Sequence, residues 1–364
     1  MATMLLTGFP GFIGRRLAAK LLETDSKASL VALVEPRMAD AAASAAAELD
    51  SERIEVLPGD IGEGRLGLSD ADYDRLAAEV TKVFHLAAIY DLAVPLEIAQ
   101  RVNVDGTGNV LDFCATAKSL ERLLYVSTAY VAGTRTGVVY EHELVMGQDF
   151  KNHYESTKFQ AEVWVREAMA RVPTTILRPA IVVGDSRTGE TQKFDGPYFI
   201  LRTIAEAERA GRAVVQFGQA GAPFNAVPVD FVVDSIAAAA GSPEAEGQTL
   251  HLVDPEPLSA KELTETLSME YAGRPPKGRI PPGLAAASLR VPAIRNRLGG
   301  TPPESLMYLN HPVRFDTRRT VELLEPLGVR PPNFREYAGA MVRFFQEHQD
   351  DPAFVPGYKP PAGG

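Results

Sequence analysis

Residues 4–14 read Met4-Leu-Leu-Thr-Gly-Phe-Pro-Gly-Phe-Ile-Gly14, and this stretch decides the fold that we predict. A short apolar run leads directly into Gly8, Gly11 and Gly14, and the apolar spacing of residues 15–22 is that of a helix. Glycine is needed in such a turn because a Cβ would block both the turn and the approach of a pyrophosphate to the first N–H groups of the helix. The stretch therefore predicts a strand, a tight phosphate-binding turn and a helix.

A second apolar run supports this interpretation. Residues 30–34 lie ~20 residues after the glycines and end in Glu35, which is the spacing that a dinucleotide-binding fold requires. Three glycines at this spacing also occur by chance, so the bare pattern is a weak signal. Its place between a strand and a helix makes it a stronger one.

Strands and helices alternate over the first half of the sequence. The predicted strands lie at residues 29–34, 53–57, 82–86 and 123–127, and the predicted helices at 38–49, 71–80 and 103–117. Such alternation indicates a parallel sheet with helices on both faces. We therefore predict an α/β fold, a Rossmann-type doubly wound parallel sheet, with a smaller and mostly helical C-terminal substrate lobe.

The alternation breaks at Asp185, and this break sets the predicted domain boundaries. Residues 1–185 with 226–256 are assigned to the dinucleotide-binding Rossmann domain, and residues 186–225 with 257–364 to the substrate-binding lobe. Residues 213–217 within that lobe read as a short strand.

Ligands of such sheets bind at the carboxyl ends of the strands, so the residues there are the candidate site. Asp60 would accept a hydrogen bond from an adenine amino group, or else it caps a turn. Small Ala87 and Ala88 would let the backbone pass close to a cofactor, or they simply pack. Ser127 and Thr128 bring hydroxyls to the same edge.

Tyr154 and Lys158 are four residues apart at the start of a predicted helix, so they share one helical face. An ammonium close to a phenol favours the phenolate and lowers a pKa that is ordinarily about 10. We therefore expect Tyr154 to exchange protons near neutral pH. A lone Tyr-x-x-x-Lys is common by chance, and the combination with the glycine turn and the strand-end hydroxyls is what favours a catalytic role.

Two residue types that often carry chemistry are expected to be structural here. His85 lies within an apolar strand and reads as a core histidine, because no second histidine or carboxylate stands at ligand spacing. Cys114 is the only cysteine and reads as a small buried residue. We therefore expect no metal site and no internal disulfide.

The overall composition excludes several classes of function. The 364 residues carry a formal net charge of −10, which argues against a nucleic-acid partner because there is no basic stripe to displace phosphate counterions. No apolar run approaches the ~18 residues of a membrane span. We expect a cytoplasmic protein without a transmembrane segment.

Several motifs together resemble a known superfamily. The motifs that resemble the extended short-chain dehydrogenase/reductases are Thr7-Gly-Phe-Pro-Gly-Phe-Ile-Gly14, Val83-Phe-His-Leu-Ala-Ala88, Asn103-Val-Asp-Gly-Thr-Gly-Asn109, Tyr125-Val-Ser-Thr-Ala129 and Tyr154-Glu-Ser-Thr-Lys158. Two others, Leu177-Arg-Pro-Ala-Ile-Val-Val-Gly184 and Asn225-Ala-Val-Pro-Val-Asp230, are similar to the fatty acyl-CoA reductase and carboxylic-acid-reductase thioester-reductase branch. The likeness extends to about residue 255.

The resemblance implies roles for individual residues. Thr128 would orient a substrate carbonyl, with Ser127 as the alternative hydroxyl. Tyr154 would be the general acid, and Lys158 would hold the nicotinamide ribose and tune Tyr154. Asn103 would support the lysine through a water.

The residues expected at the cofactor combine the glycine turn with the strand ends. They are Gly8, Phe9, Pro10, Gly11, Phe12, Ile13, Gly14, Arg15, Glu35, Arg37, Asp60, Ile61, Ala87, Ala88, Lys158, Pro179, Ile181 and Val182. The segment from Pro179 to Val182 would line the nicotinamide side.

The residues give conflicting indications on the choice between NAD and NADP. Members of the branch usually place an arginine directly after the second strand, where this chain has Glu35, and a carboxylate there favours NAD. Arg15 and Arg37 favour NADP, because guanidinium groups pair with phosphate. The resemblance favours NADP(H) slightly over NAD(H).

The leading hypothesis is reduction of a hydrophobic, fatty acyl thioester, linked to CoA or to a carrier protein, to the aldehyde or on to the alcohol. The alternatives are a ketone or secondary-alcohol dehydrogenase of steroid or flavonoid type, a nucleotide-sugar epimerase, and a cofactor-binding sensor without turnover. A homodimer through the helices at residues 103–117 and 159–170 is common in the superfamily. An apolar acyl channel would include Leu289, Val291, Ile294, Leu306, Met307 and Leu309.

Overall fold

The computed structural model describes residues 2–90, 94–216, 220–280 and 305–354. The strands of this part of the chain are β1 (Thr3–Thr7), β2 (Ser29–Val34), β3 (Ile54–Pro58), β4 (Val80–His85), β5 (Arg122–Val126), β6 (Gly137–Val139), β7 (Thr174–Pro179), β8 (Ile181–Val183), β9 (Ala226–Pro228), β10 (Thr249–Leu252) and β11 (Val313–Phe315). Seven of them form one parallel sheet in the order β10-β7-β5-β4-β1-β2-β3. The direction of the strand order reverses between β1 and β4, which is where such sheets bind ligands.

The main helices connect these strands as the alternation predicts. They are α1 (Phe12–Thr24), α2 (Ala39–Leu49), α3 (Asp70–Glu79), α4 (Leu96–Ala99), α5 (Gly106–Thr116), α6 (His153–Ala168), α7 (Tyr198–Arg209), α8 (Val229–Gly241) and α9 (Ala260–Ala272), followed by the helices Ser305–Leu309, Arg318–Leu324 and Phe334–His348. A π-helical turn, Gln100–Asp105, precedes α5. The predicted Rossmann-type parallel sheet is confirmed.

Both faces of the sheet are covered by helices. Apolar residues of α1, α2 and α8, such as Leu17 and Phe231, pack on one face with Leu6 of β1. Residues of α3, α5 and α6, such as Phe113 and Val165, pack on the other face. Cys114 belongs to this second core and is buried, as predicted. Burial on both faces explains why the strands read as continuous apolar runs rather than as alternating ones.

A third apolar core forms over the carboxyl edge of the sheet. It joins α7, α9 and the helix Phe334–His348, and Tyr198 and Phe345 lie at its centre. The helix α7 begins at Tyr198, directly after Pro197. This core gives the C-terminal segments a stable position above the strand ends.

One local prediction differs from the structure, and one small sheet was not predicted. Of the strand expected at residues 213–217, residue 217 lies outside the described part, and only Gln216 pairs, in an isolated bridge with Arg279. The two-stranded sheet of β6 and β11 was not predicted. Its strands have three residues each and two residues of β6 are exposed, so no apolar pattern marks them.

A buried ion pair ties α6 to the sheet. Glu162 of α6 and Arg178 of β7 are 0% and 1% exposed, and Arg178 Nη2 lies 2.6 Å from Glu162 Oε1. Burial by itself would raise the pKa of Glu162, but the Arg178 and Arg166 guanidinium groups outweigh it and hold that pKa below its ordinary value. Arg178 also donates to the carbonyl oxygen of Glu143 at 2.9 Å. The pair fixes the helix that carries Tyr154 and Lys158.

Replacing Arg178→Met should destabilise the protein by roughly 3–5 kcal/mol, because it removes the buried partner of the Glu162 carboxylate and leaves the partly exposed Arg166 to compensate the charge. The free energy of unfolding in urea measures this effect. Arg335→Met is the matched control: its ion pair with Glu262 is about half exposed, so its removal should cost less than about 1 kcal/mol. Equal losses for the two variants would contradict the assignment.

Candidate active site

A cavity of about 1150 Å³ lies at the carboxyl ends of the central strands. The predicted site residues that line it are Gly8, Phe9, Pro10, Gly11, Phe12, Ile13, Gly14, Glu35, Arg37, Asp60, Ile61, Ala87, Ala88, Ser127, Thr128, Tyr154, Lys158, Pro179, Ile181 and Val182. Arg15 is the one predicted cofactor residue that does not line it. The fold thus brings one end of the cavity to the glycine turn and the other to the tyrosine and lysine.

The glycine turn has room for backbone only. Gly8 has a φ of +89°, and a Cβ there would lie 3.0 Å from the nitrogen of Ala87. A Cβ on Gly11 or Gly14 would overlap the carbonyl oxygen of Gly8. No side chain caps α1 at Gly11. The N-terminus of α1 therefore faces the cavity through bare backbone, which is an arrangement that fits a pyrophosphate.

The two arginines expected at the 2′-phosphate position differ in their placement. Arg37 lines the cavity and pairs with Glu35 at 2.7 Å, and the two side chains are 73% and 44% exposed. Arg15 instead forms an ion pair with Glu48 of α2. Of the residues expected at this position, Arg37 and Glu35 thus line the cavity and Arg15 does not.

Asp60 is held by two neighbours at the end of β3. Its Oδ1 accepts from the backbone N–H of Gly62 at 2.8 Å, and its Oδ2 accepts from Arg101 Nη2 at 2.6 Å. The turn-capping interpretation is therefore observed, and Asp60 lines the cavity as well. Arg101, which also binds Glu63 at 2.9 Å, was not predicted because it lies some 40 residues further along the chain.

His85 is a neutral core histidine. It is 1% exposed, its Nδ1 lies 2.8 Å from the hydroxyl of Thr7, and its Nε2 lies 3.1 Å from the hydroxyl of Thr107. Burial, with the charge of Lys158, lowers the pKa of His85 to about 3. The predicted structural role is confirmed by these contacts.

The two hydroxyls at the end of β5 have different surroundings. Ser127 donates to Glu162 Oε2 at 2.6 Å, so its proton is used within the buried ion pair. Thr128 accepts from the backbone N–H of Tyr130 at 3.2 Å and donates at the longer distance of 3.4 Å to the carbonyl oxygen of Pro179. Its hydroxyl also lies close enough to the phenol of Tyr154 to oppose the rise of that pKa. Thr128 is thus the strand-end hydroxyl that stands beside the tyrosine.

The expected lowering of the Tyr154 pKa is wrong. Burial raises that pKa to about 12, Glu155 adds to the rise, and the hydrogen bond with Thr128 opposes it. The reason lies in Lys158, whose Nζ donates to the phenol of Tyr125 and to the carbonyl oxygen of Val126, both at 2.9 Å. The ammonium is therefore directed at β5 rather than at the phenol of Tyr154.

Asn103 makes its hydrogen bonds to protein groups. Its Oδ1 accepts from the N–H of Ile89 at 2.8 Å, and its Nδ2 donates to the carbonyl oxygen of Ile89 at 3.2 Å and to the hydroxyl of Thr157 at 3.0 Å. Asn103 thus holds the segment after β4 against α6, next to Lys158.

Tyr90 covers Tyr154 from the segment after β4. The two ring centroids are 5.7 Å apart and the rings are nearly perpendicular. The Tyr90 hydroxyl donates to Asp195 Oδ2 at 2.9 Å, and Lys193 Nζ lies 3.6 Å from the same carboxylate. Burial raises the pKa of Asp195. Tyr90 therefore connects the sheet edge to the loop before α7 across the cavity.

Tyr308 connects the C-terminal segment to the first turn of α6. Its hydroxyl donates to Glu155 Oε1 at 2.9 Å and accepts from Asn152 Nδ2 at 2.9 Å, and its ring packs edge-on against Tyr130. Tyr308 lines the cavity. Sequence reasoning missed it because no local motif surrounds it.

The predicted acyl channel is only partly described. Leu289, Val291 and Ile294 lie outside the described residues, as does the side chain of Leu306. Met307 is 42% exposed and does not line the cavity, whereas Leu309 is buried and does. The other apolar residues on this side of the cavity are Phe199, Ile200 and Phe224.

The described residues contain neither a metal-binding cluster nor a membrane-spanning helix. No group of three or more histidine, cysteine, aspartate or glutamate side chains in that part of the chain is arranged to hold a metal ion. No described helix combines the length and the apolar character that crossing a membrane requires.

Comparisons with known proteins agree with the architecture. The family model described as "Male sterility protein" matches residues 6–236. The glycine betaine reductase ATRR of Emericella nidulans is 28% identical over 288 residues, covering 73% of this chain and 22% of that protein. A carboxylic acid reductase of Segniliparus rugosus is 29% identical over 270 residues, covering 64% and 22%.

A solved structure is also similar over nearly the whole chain. The terminal R domain from the myxalamid PKS-NRPS biosynthetic pathway superposes with a TM-score of 0.80 at 28% identity, covering 96% of this chain and 91% of that domain. By contrast, the chain spans about a fifth of the length of each of the two curated relatives.

Replacing Gly14→Ala should weaken nicotinamide dinucleotide binding about tenfold or more, because overpacking costs roughly 1–3 kcal/mol and displaces the carbonyl of Gly8 from the turn. Nicotinamide fluorescence titration measures the affinity. Gly64→Ala is the matched control, since nothing lies within 4 Å of a Cβ there. Unchanged affinity in a folded Gly14→Ala protein would refute the phosphate-binding turn.

Proposed function

Because the chain belongs to the male sterility protein family of extended short-chain dehydrogenase/reductases, we propose that it is an NAD(P)H-dependent reductase of hydrophobic acyl thioesters. One observation carries the proposal. The hydroxyl of Thr128 and the phenol of Tyr154 meet at the end of β5, in a cavity that also contains the bare glycine turn.

The residues along the cavity fit a nicotinamide dinucleotide. The backbone from Gly8 to Gly14 would hold the pyrophosphate, Asp60 would face the adenine, and the segment from Pro179 to Val182 would line the nicotinamide side. A reduced nicotinamide bound there supplies a hydride. Lys158 would hold its ribose.

We propose NADPH as the reductant in preference to NADH. Arg37 is largely exposed, and its ion pair with Glu35 is therefore weak and easily exchanged for a phosphate. Glu35 opposes this choice, since its carboxylate repels a 2′-phosphate unless Arg37 lies between them. The preference rests on Arg37 and on the resemblance to the reductase branch.

Thr128 and Tyr154 would act on the carbonyl oxygen of the thioester. Both hydroxyls would hydrogen-bond this oxygen as it gains negative charge, which stabilises the transition state most where water is excluded. The raised pKa keeps the phenol protonated at neutral pH, so Tyr154 is ready to donate its proton. The hemithioacetal that results from addition of hydride and proton then separates into a thiol and an aldehyde.

The acyl chain would lie against an apolar wall. Phe199, Phe224 and Leu309 line this side of the cavity. Thr203 and Thr264 also line it, but each hydroxyl donates to the carbonyl four residues earlier in its own helix, at 3.0 Å and 2.8 Å. Because those hydroxyl protons are used, the wall offers a substrate few polar donors, which favours a hydrocarbon chain.

The substrate lobe and the thioester carrier complete the proposal. Residues 186–225 with 257–364 would form the lobe that binds the acyl group, on the basis of the third apolar core. The substrate would be joined to a carrier protein or to CoA, because the similar R domain comes from a PKS-NRPS pathway and another relative is a carboxylic acid reductase.

Incubation with NADPH and saturated acyl-CoA esters should release free thiol, detected with a thiol reagent, in proportion to the NADPH consumed. The same assay with NADH tests the cofactor preference, and NADPH should give the higher kcat/KM. A panel of ketones is the control, since a ketone or secondary-alcohol dehydrogenase would consume NADPH without releasing thiol. Turnover of ketones alone would refute the thioester assignment.

Replacing Tyr154→Phe should lower kcat roughly 10²- to 10⁴-fold, because it removes the proton donor, while NADPH affinity stays within about twofold. Stopped-flow absorbance of NADPH and fluorescence titration separate the two effects. The strand-end hydroxyls give a matched pair: Thr128→Val should lower kcat roughly 10²-fold, and Ser127→Ala should have the smaller effect because its proton is used by Glu162. The reverse order would make Ser127 the catalytic hydroxyl.

A further inference from the structure

The Nζ of Lys158 contacts the side chain of Tyr125, on the neighbouring strand β5. Lys158 is 2% exposed, and its Nζ donates to the Tyr125 hydroxyl and to the carbonyl oxygen of Val126, both at 2.9 Å. The same Nζ lies 4.3 Å from the centroid of the Tyr125 ring. Tyr125 itself is fully buried at the end of β5. One side chain thus provides both an oxygen acceptor and a π face for the buried ammonium.

The hydrogen bonds behind Tyr125 have only one consistent direction. The hydroxyl of Thr107 donates its single proton to the carbonyl oxygen of Asn103 at 2.7 Å, so it accepts from its other two partners. Those partners are His85 Nε2, at 3.1 Å, and the adjacent Tyr125 hydroxyl, which cannot donate to the Lys158 ammonium because that group is itself a donor. The Tyr125 proton therefore points to Thr107, and its oxygen is left as an acceptor toward Lys158.

The same reasoning fixes the tautomer of His85. Because Nε2 donates to Thr107, Nδ1 accepts from the hydroxyl of Thr7. The Thr7 oxygen in turn accepts from the backbone N–H groups of Leu86 and Ala87, at 3.2 Å and 3.1 Å. The chain of hydrogen bonds thus ends on the backbone beside the glycine turn and cannot reverse without breaking these contacts.

The groups that face Lys158 leave its charge finely balanced. Burial lowers the pKa of Lys158 to about 7, and Glu162, one turn further along α6, opposes this fall. His85 on β4 is neutral, and the Tyr154 and Tyr125 phenols remain protonated because burial raises both pKa values. The charged lysine is therefore favoured by the Tyr125 oxygen together with the Val126 carbonyl oxygen and the Glu162 carboxylate.

We propose that Tyr125 is a positioning residue for Lys158, with its oxygen locked as an acceptor by Thr107 and His85 so that the lysine stays charged at the strand end. The inference rests on the proposed function, in which Lys158 holds the nicotinamide ribose. Tyr125 takes the supporting place that the resemblance assigns to Asn103 through a water. The side chain of Asn103 instead hydrogen-bonds Ile89 and Thr157.

Replacing Tyr125→Phe tests the proposal, because it keeps the ring and removes the acceptor. The charged lysine then loses a partner, so its pKa falls and the charged form is lost at lower pH. Affinity for NADPH, measured by fluorescence across pH 6–9, should begin to weaken about one pH unit earlier than in the unchanged protein, a roughly tenfold difference above the midpoint. The pH at which kcat/KM falls on the alkaline side should shift to lower pH as well.

Tyr73→Phe is the matched control. It also removes a buried phenol oxygen, one that lies 3.3 Å from Thr116 on the far side of α5, and its pH dependence should be that of the unchanged protein. If Tyr125→Phe does not fold, Thr107→Val gives the same test, since it frees the Tyr125 proton and should shift the midpoint in the same direction.

The two proposals fail in different ways. The binding measurement needs no acyl substrate, so a shifted NADPH midpoint supports the role of Tyr125 even if no thioester is reduced. An unchanged midpoint in folded Tyr125→Phe or Thr107→Val protein, or an equal shift in Tyr73→Phe, would overturn it. Thiol release with an unchanged midpoint would leave the reductase proposal standing and remove only this inference.

Discussion

The buried face of α6 imposes the constraint on which the rest of the site depends. Tyr154, Lys158 and Glu162 follow one another at intervals of four residues, so a phenol, an ammonium and a carboxylate lie in one row between the helix and the sheet. Lys158 and Glu162 are almost completely buried there, and each charge therefore needs a partner from a neighbouring strand. Arg178 of β7 provides one, and the oxygen of Tyr125 provides the other.

The parallel sheet makes it possible for neighbouring strands to supply these partners. Its strand order places β5 between β4 and β7, and all three end at the same edge. The side chain of Arg178 thus reaches Glu162, while Thr128 reaches Tyr154 from the next strand. The glycine turn after β1 lies at that edge too, and its bare backbone leaves the space that side chains fill elsewhere. The sheet thereby brings the proposed phosphate-binding turn and the proposed proton donor to one edge.

The sequence predicted those features that depend on local spacing. The glycine turn, the hydroxyl of Thr128 and the helix at Tyr154 each lie in a short motif whose geometry the backbone determines. Pairings between distant residues had no such signal: Tyr90 and Asp195 are 105 residues apart, and Tyr308 and Glu155 are 153. The expected effect of Lys158 on Tyr154 was wrong for a related reason. Four rotatable bonds separate the lysine Nζ from α6, and its direction is set by Tyr125 on another element.

The protonation states at the end of β5 agree with the proposed reaction. A phenol with a raised pKa holds its proton at neutral pH and is a donor, as addition of hydride to a carbonyl requires. An ammonium directed at the phenol of Tyr154 would favour the phenolate, but the Nζ of Lys158 is directed at Tyr125 and Val126 instead. The contacts that keep the lysine on β5 thus also leave Tyr154 protonated, as a proton donor to a carbonyl oxygen must be.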